Sequence, residues 1–209
     1  MNDKNSIARY NPAERANHWV VAISFILLAL SGLALFYPLF FSLTYLFGNG
    51  TWTRILHPFI GVVMAVSFTK LASRFWHLNH IGDNDRAWMK RIFDVIFKRG
   101  NSLPEAGHYN GGQKYLFWMM VGAVAVLFAT GVAMWQPWFA PIFPVGLVRL
   151  ASLVHALAAF VLLAGIIVHV YAAIWVKGTL SAMTNGTVTR AWAKTNHPGW
   201  YREVSKGSK

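Results

Sequence analysis

Four long stretches without Asp, Glu, Lys or Arg constrain the fold of this chain more than any other feature. They run over residues 19–37, 55–69, 115–135 and 150–176. Each reaches or approaches the roughly 20 residues that a helix needs to cross the hydrocarbon core of a bilayer. The chain has 209 residues, of which 56% are hydrophobic and 12% charged, more apolar surface than a water-soluble fold of this size can bury. The sequence therefore predicts an integral membrane protein.

Aromatic residues mark the borders of these stretches, as expected where helix ends meet the membrane–water interface. The predicted fold is all-α, an integral membrane four-helix bundle, with spans over about 17–37, 52–76, 114–136 and 148–176. A loop over 77–113 and a tail over 177–209 complete a single membrane domain over 1–209.

Lysine and arginine give the predicted orientation. Of the 19 such residues, all but Arg54 and Arg149 lie in the N-terminal segment, in residues 70–114 in and beside the loop between the second and third spans, or in the tail. Segments rich in Lys and Arg stay on the cytoplasmic side, so both termini and the middle loop are expected to be cytoplasmic. Because this topology explains the net charge of +12, the charge gives no reason to expect nucleic-acid binding.

Missing residue types exclude several kinds of chemistry. Cysteine is absent, which excludes disulfides, cysteine nucleophiles and cysteine-ligated iron–sulfur clusters in this chain. All seven acidic residues fall outside the spans, which disfavours a proton pump or cation transporter built on intramembrane carboxylates. The sequence has no phosphate-binding loop and no Ser-His-Asp arrangement.

Four of the eight histidines lie in or at the edges of the spans: His18, His57, His155 and His169. One such residue could simply bond to a neighbouring helix, but ionisable groups in a membrane are costly, and four at matched depths need another reason. His155 and His169 are separated by about 21 Å along one helix and point within about 40° of the same face.

The predicted topology places these histidines in two pairs. His57 and His155 lie near the outer face, and His18 and His169 lie near the cytoplasmic face. Two imidazoles facing each other across a bundle can ligate a haem iron from both sides, and two stacked haems would carry electrons across the bilayer. Small residues within the spans allow the clearance that a flat macrocycle needs. They include Gly32, Gly61, Gly122, Gly131 and Gly165.

Six longer strings, spread over nearly the whole chain, accompany these histidines. They are RYNPAERANHW (9–19), RILHPFIGVVM (54–64), HYNGGQKYLFW (108–118), GVAMWQPWFAPIFP (131–144), HVYAAIWVKGTLSAM (169–183) and AWAKTNHPGWYREV (191–204). In these strings the chain resembles the cytochrome b (gamma) subunit of respiratory, membrane-bound formate dehydrogenase.

This resemblance implies four transmembrane helices in a bacterial inner membrane and two b-type haems. By matching position, His57 and His155 ligate the outer haem, and His18 and His169 ligate the inner haem. It also implies a quinone site beside the inner haem and His169, with Asn110, Gly112 and Gln113 as the matching residues. Read without the resemblance, the NGG string is a turn before the third span.

The function implied by the resemblance is electron transfer. Electrons from formate oxidation reach the outer haem from an iron–sulfur (beta) subunit, and a menaquinone or ubiquinone is reduced near the cytoplasmic side. A molybdenum or tungsten catalytic (alpha) subunit completes the complex, which the resemblance makes a trimer of heterotrimers embedded in membrane lipid. Two alternatives stay open: a cytochrome b subunit of a hydrogenase or another oxidoreductase, and a non-redox membrane anchor or small transporter.

Three positions depart from the pattern of the family. Gln136 stands where arginine is usual, and Asn196 and Gly199 stand where histidine and arginine are usual. Since none of the three is a predicted ligand, the departures leave the haem prediction intact but put outer-surface charge and tail contacts in doubt.

Overall fold

The computed structural model describes residues 5–97 and 104–206, and these ranges are mostly helical. The helices are α1 (Pro12–Phe36), α2 (Gly50–Phe75), α3 (Asp83–Lys90), α4 (Ile92–Ile96), α5 (Gly111–Met134), α6 (Val145–Trp175), α7 (Leu180–Thr184), α8 (Arg190–Asn196) and α9 (Pro198–Lys206). Short 3-10 helices lie at Pro38–Phe47, Trp76–Leu78 and Ala140–Ile142, and two strands lie at Ser6–Ala8 (β1) and Thr187–Thr189 (β2).

Within the described ranges, four helices are long and apolar enough to cross a membrane, namely α1, α2, α5 and α6. The predicted number of spans is therefore confirmed. Each helix begins two to five residues before the predicted boundary. At the start of α1, Asn11 Oδ1 accepts from the Glu14 N–H at 2.9 Å, and Glu14 Oε2 accepts from the Asn11 N–H at 3.0 Å. This capping box satisfies backbone donors that the helix leaves unpaired.

One compact unit comprises residues 16–72 and 120–168 and contains the apolar lengths of the four spanning helices. Aromatic pairs join the helices edge to face, with ring centroids 5.2 Å apart for Phe59 and Trp135 and 5.5 Å apart for Phe36 and Phe160. Many large apolar side chains of this unit are exposed, as a surface in contact with lipid requires. The unit is thus a four-helix membrane bundle.

The other compact unit is drawn from the described residues within 1–15, 73–119 and 169–209. Here β1 and β2 pair antiparallel, with Ile7 opposite Val188, so the prediction of an all-α chain missed a small two-stranded sheet. Ile7 and Val188 pack in an apolar core with Trp192, Ala193 and Trp200. The sheet joins the N-terminal and C-terminal segments in one unit. This agrees with an even number of spans, which places both termini on the same side of the membrane. That this side is the cytoplasmic one stays a prediction.

A buried arginine holds this unit together. Arg9 is 8% exposed, and its guanidinium carbon lies 4.3 Å from the ring centroid of Trp200 and 5.4 Å from that of Trp192. Its Nη2 atom donates to the carbonyl oxygen of His108 at 2.5 Å. Burial lowers the pKa of Arg9, and cation–π contact with the aromatic rings compensates for part of the lost hydration. Arg9 therefore ties the N-terminus to the segment before α5 and to the tail.

The two departures from the family pattern in the tail have local roles. Asn196 Nδ2 donates to the carbonyl oxygen of Trp192 at 3.0 Å, near the end of α8. At Gly199, the backbone N–H donates to the Ala106 carbonyl oxygen at 3.1 Å, and an added Cβ would lie 3.0 Å from that oxygen. An arginine at this position would therefore have to displace the 104–107 segment.

Candidate cofactor-binding site

A cavity of about 790 Å³ lies inside the four-helix membrane bundle. Its walls come from all four spanning helices and are mainly aliphatic and aromatic. The polar side chains in the lining include His57, His155, Arg54, Arg149 and Gln136. This volume falls within the usual range for ligand sites, and an apolar wall with a few convergent polar groups is the usual composition of such sites.

Two histidines face this cavity from different helices. His57 lies on α2 and His155 on α6, both are half-buried, and their ring centroids are 6.4 Å apart. An imidazole nitrogen binds a metal at about 2 Å, so two rings that bind one metal ion from opposite sides hold their centres about 6 Å apart. The observed separation therefore fits one metal ion between the two rings.

A hydroxyl group occupies the Nδ1 side of each ring. Ser31 Oγ lies 2.7 Å from His57 Nδ1, and Thr130 Oγ1 lies 2.9 Å from His155 Nδ1. With Nδ1 engaged in each ring, Nε2 is the nitrogen that is left to bind a metal. Sequence reasoning missed Ser31 and Thr130. The available signal was their position, since each directly precedes a glycine within a span.

Those two glycines lie against the histidine rings. A Cβ added at Gly32 would be 3.5 Å from His57 Cε1, and a Cβ added at Gly131 would be 3.4 Å from His155 Cε1. Larger side chains at either position would extend into the space beside the rings. The residues present thus fit a flat macrocycle with its metal bound between two imidazoles.

Two cations line the cavity near the start of their helices. Arg54 is the fifth residue of α2, and Arg149 is the fifth residue of α6. The sequences 16–72 and 120–168, which form this bundle, contain no Asp or Glu that could pair with them. Both arginines can therefore bind an anionic group such as a haem propionate.

The other two predicted ligands lie in different units. His18 lies on α1 in the membrane bundle, and His169 lies on α6 in the unit that contains the sheet. Their assignment as the ligands of an inner haem stays a prediction.

The three predicted quinone residues lie at the start of α5. Asn110 Oδ1 accepts from the Gln113 N–H at 2.9 Å, and Gln113 Oε1 accepts from the Asn110 N–H at 3.0 Å. This is the same capping box as at Asn11 and Glu14. Both side-chain oxygens are used in it, so the amide NH₂ groups are the parts of Asn110 and Gln113 that remain to donate to a ligand.

Gly112 has a packing role. A Cβ at Gly112 would lie 2.8 Å from Cζ3 of Trp88, and one at Gly111 would lie 2.7 Å from the carbonyl oxygen of Asp85. Both glycines therefore let α3 approach the start of α5. Lys114 strengthens this contact through an ion pair of 2.8 Å with Asp85. The close packing accounts for the two glycines whether or not a ligand binds beside them.

Titratable residues next to Asn110 are held neutral. Burial lowers the pKa of His108 to about 3, and the nearby Arg9 charge adds to the effect. Burial also raises the pKa of Tyr109 well above its usual value, and the hydroxyl of Tyr109 bonds to that of Tyr10 at 3.0 Å. At neutral pH both side chains are therefore uncharged.

The chain is a helical membrane bundle whose cavity has two histidines facing each other. These features are typical of one class of protein, the membrane proteins that hold a metal macrocycle between helices. The family described as prokaryotic cytochrome b561 matches residues 9–186. The chain belongs to this family and, within it, to the formate dehydrogenase cytochrome b subunits. This confirms the resemblance that the sequence strings indicated, and the family implies a b-type haem.

Three relatives show how far the similarity extends. The formate dehydrogenase cytochrome b556(fdo) subunit of Escherichia coli K12 is 45% identical over 99% of this chain and 97% of its own length. The nitrate-inducible formate dehydrogenase cytochrome b556(Fdn) subunit of the same organism is 41% identical, over 99% and 95%. The formate dehydrogenase cytochrome b556 subunit of Haemophilus influenzae is 40% identical, over 97% and 84%.

Proposed function

We propose that this chain is the electron-transfer and quinone-reducing subunit of a formate dehydrogenase complex. It takes electrons from an iron–sulfur partner at the outer face of the membrane and delivers them to menaquinone or ubiquinone near the cytoplasmic side. The observation that carries the proposal is the cavity with His57 and His155 at metal-binding separation. The similarity to formate dehydrogenase subunits over nearly the full length supports the choice of complex.

The residues of the chain hold two b-type haems in this proposal, His57 and His155 at the outer site and His18 and His169 at the inner site. A bound haem supplies reversible one-electron transfer. At the outer site, the apolar walls exclude water, the two imidazoles orient the group, and Arg54 and Arg149 offset the charge of its propionates. These contacts, and not a reacting side chain, are the contribution of the protein.

The distribution of Lys and Arg supports an orientation with both termini on the cytoplasmic side of a bacterial inner membrane. The proposed partners are an iron–sulfur subunit and a molybdenum or tungsten subunit that oxidises formate, in a trimer of heterotrimers. The relatives support this choice because they are cytochrome subunits of formate dehydrogenases. Quinone reduced near the cytoplasmic face takes up protons from that side, so formate oxidation outside would generate a proton-motive force.

The test of this function is a spectrum of the complex purified through a tag on this chain. We expect a dithionite-reduced minus oxidised spectrum of two b-type haems for each chain, reduction of both by formate, and reoxidation by a soluble quinone. Two haems that formate leaves oxidised, with a different oxidoreductase copurifying, would assign the chain to another complex. A well-folded preparation without haem would leave only the membrane-anchor alternative.

The amide groups of Asn110 and Gln113 are the proposed donors to a quinone carbonyl. Their oxygens close the capping box, and their NH₂ groups can donate to an acceptor. Asn110→Asp and Gln113→Glu keep the capping oxygens but remove the donors. In the intact complex we expect each variant to raise the KM for quinone about tenfold, the usual size for one hydrogen bond, with both haems retained.

Asn11→Asp is the matched control, because it makes the same change of charge in the equivalent capping box of α1. It should leave the KM for quinone unchanged. Equal KM values in all three variants and the parent would assign Asn110 and Gln113 to helix capping alone.

A further inference from the structure

The hydroxyl groups of Ser31 and Thr130 each contact a backbone carbonyl oxygen and an imidazole nitrogen. A hydroxyl has only one proton to donate, and this fixes the direction of both hydrogen bonds. Ser31 Oγ lies 2.7 Å from the carbonyl oxygen of Leu27, and Thr130 Oγ1 lies 2.7 Å from that of Val126. A carbonyl oxygen can only accept, so each hydroxyl donates its single proton to the backbone.

Each hydroxyl oxygen must then accept a hydrogen bond from the imidazole that it contacts. The Nδ1 atoms of His57 and His155 therefore carry the ring protons, at 2.7 Å from Ser31 Oγ and 2.9 Å from Thr130 Oγ1. With the proton on Nδ1, the Nε2 atom of a neutral imidazole has its lone pair free, which is the form that binds a metal.

We propose that Ser31 and Thr130 are positioning residues that fix the tautomer and ring orientation of His57 and His155 and strengthen their donation to a haem iron. The proposal rests on the proposed function, since it concerns the residues behind the outer ligands. An acceptor behind a metal-ligating histidine fixes its ring and raises its basicity. Here the acceptor is itself held by a backbone carbonyl four residues earlier on the same helix, which stops the hydroxyl from turning away.

The same arrangement occurs twice, on separate pairs of helices. In the first, Ser31 of α1 contacts the imidazole of His57 and Gly32 follows it, and in the second, Thr130 of α5 contacts that of His155 and Gly131 follows it. In each pair the hydroxyl bonds to one ring nitrogen and the glycine leaves room beside the adjacent ring carbon. The repetition argues that the contact is part of the site and not an incident of helix packing.

The test uses the purified complex with Ser31→Ala and Thr130→Val. Without the acceptor, the imidazole donates less charge to the iron, and the oxidised haem loses more stabilisation than the reduced haem. In a potentiometric titration, we expect the ratio of reduced to oxidised outer haem at a fixed potential to rise about three- to tenfold. Ser31→Thr and Thr130→Ser keep the hydroxyl and should restore the ratio. The EPR spectrum of the oxidised haem depends on the angle between the two imidazole planes. It should change in Ser31→Ala and Thr130→Val and return to that of the parent in Ser31→Thr and Thr130→Ser.

Two further variants serve as controls, since they remove buried hydroxyls from the same bundle. Ser24→Ala removes a buried hydroxyl two turns before Ser31 on α1. Thr53→Val removes a hydroxyl that donates to the carbonyl oxygen four residues earlier, as the hydroxyl of Thr130 does. An unchanged ratio in Ser31→Ala and Thr130→Val, or an equal change in the controls, would overturn the positioning role. Loss of the outer haem in Ser31→Ala with recovery in Ser31→Thr would support it. If the parent complex holds no haem at His57, the proposed function fails instead.

Discussion

The variants His57→Ala and His155→Ala should each lose the outer haem and keep the inner one. Removal of either imidazole takes away one of the two proposed metal ligands, whose ring centroids are 6.4 Å apart across the cavity. Alanine offers no replacement donor, and the apolar walls supply none. We expect the haem content to fall from two to about one for each chain, measured as the pyridine haemochrome against the polypeptide concentration.

His80→Ala is the control for this experiment, because His80 is an exposed residue in the loop after the second span. Its haem content should equal that of the parent. Retention of both haems in His57→Ala and in His155→Ala would show that the outer ligands have been assigned wrongly.

The variant Gly131→Leu should block the outer site without removing a ligand. A Cβ at this position would already touch His155 Cε1 at 3.4 Å, and the remaining atoms of leucine would have to enter the cavity. Since closely packed interiors do not yield easily to extra volume, the leucine should exclude a flat group from this space. We expect occupancy of the outer site to fall at least about tenfold, measured by the same haem determination.

Gly122→Leu on the same helix separates this effect from a general effect of leucine. A Cβ at Gly122 would have no heavy atom from outside its own helical turn within 4 Å, so the side chain has open space. Gly122 does not line the cavity, so this variant should keep the outer haem. If the two leucine variants behave alike, the space beside His155 is not the haem site.

The sequence alone determined the parts of this protein that depend on local composition. Four uncharged apolar stretches predicted the four spanning helices, because the cost of placing charge and unpaired backbone in hydrocarbon acts on every residue of a span. The spacing of His57 and His155 from the helix ends also predicted their common depth, and the structure brings the two rings together. Their role as haem ligands, like that of His18 and His169, is the prediction that the spectra will test.

Only the tertiary structure decided which side chains stand behind those histidines. Ser31 and His57 are 26 positions apart, and Thr130 and His155 are 25 apart, on different helices. Whether such residues meet depends on the rotation of each helix about its axis, which hydropathy does not encode. For the same reason, the pairing of β1 with β2 and the approach of Trp88 to Gly112 could not be read from the chain. Membrane insertion is a sum over single residues and is therefore set by sequence, whereas hydrogen bonds between helices need the partners to be in place.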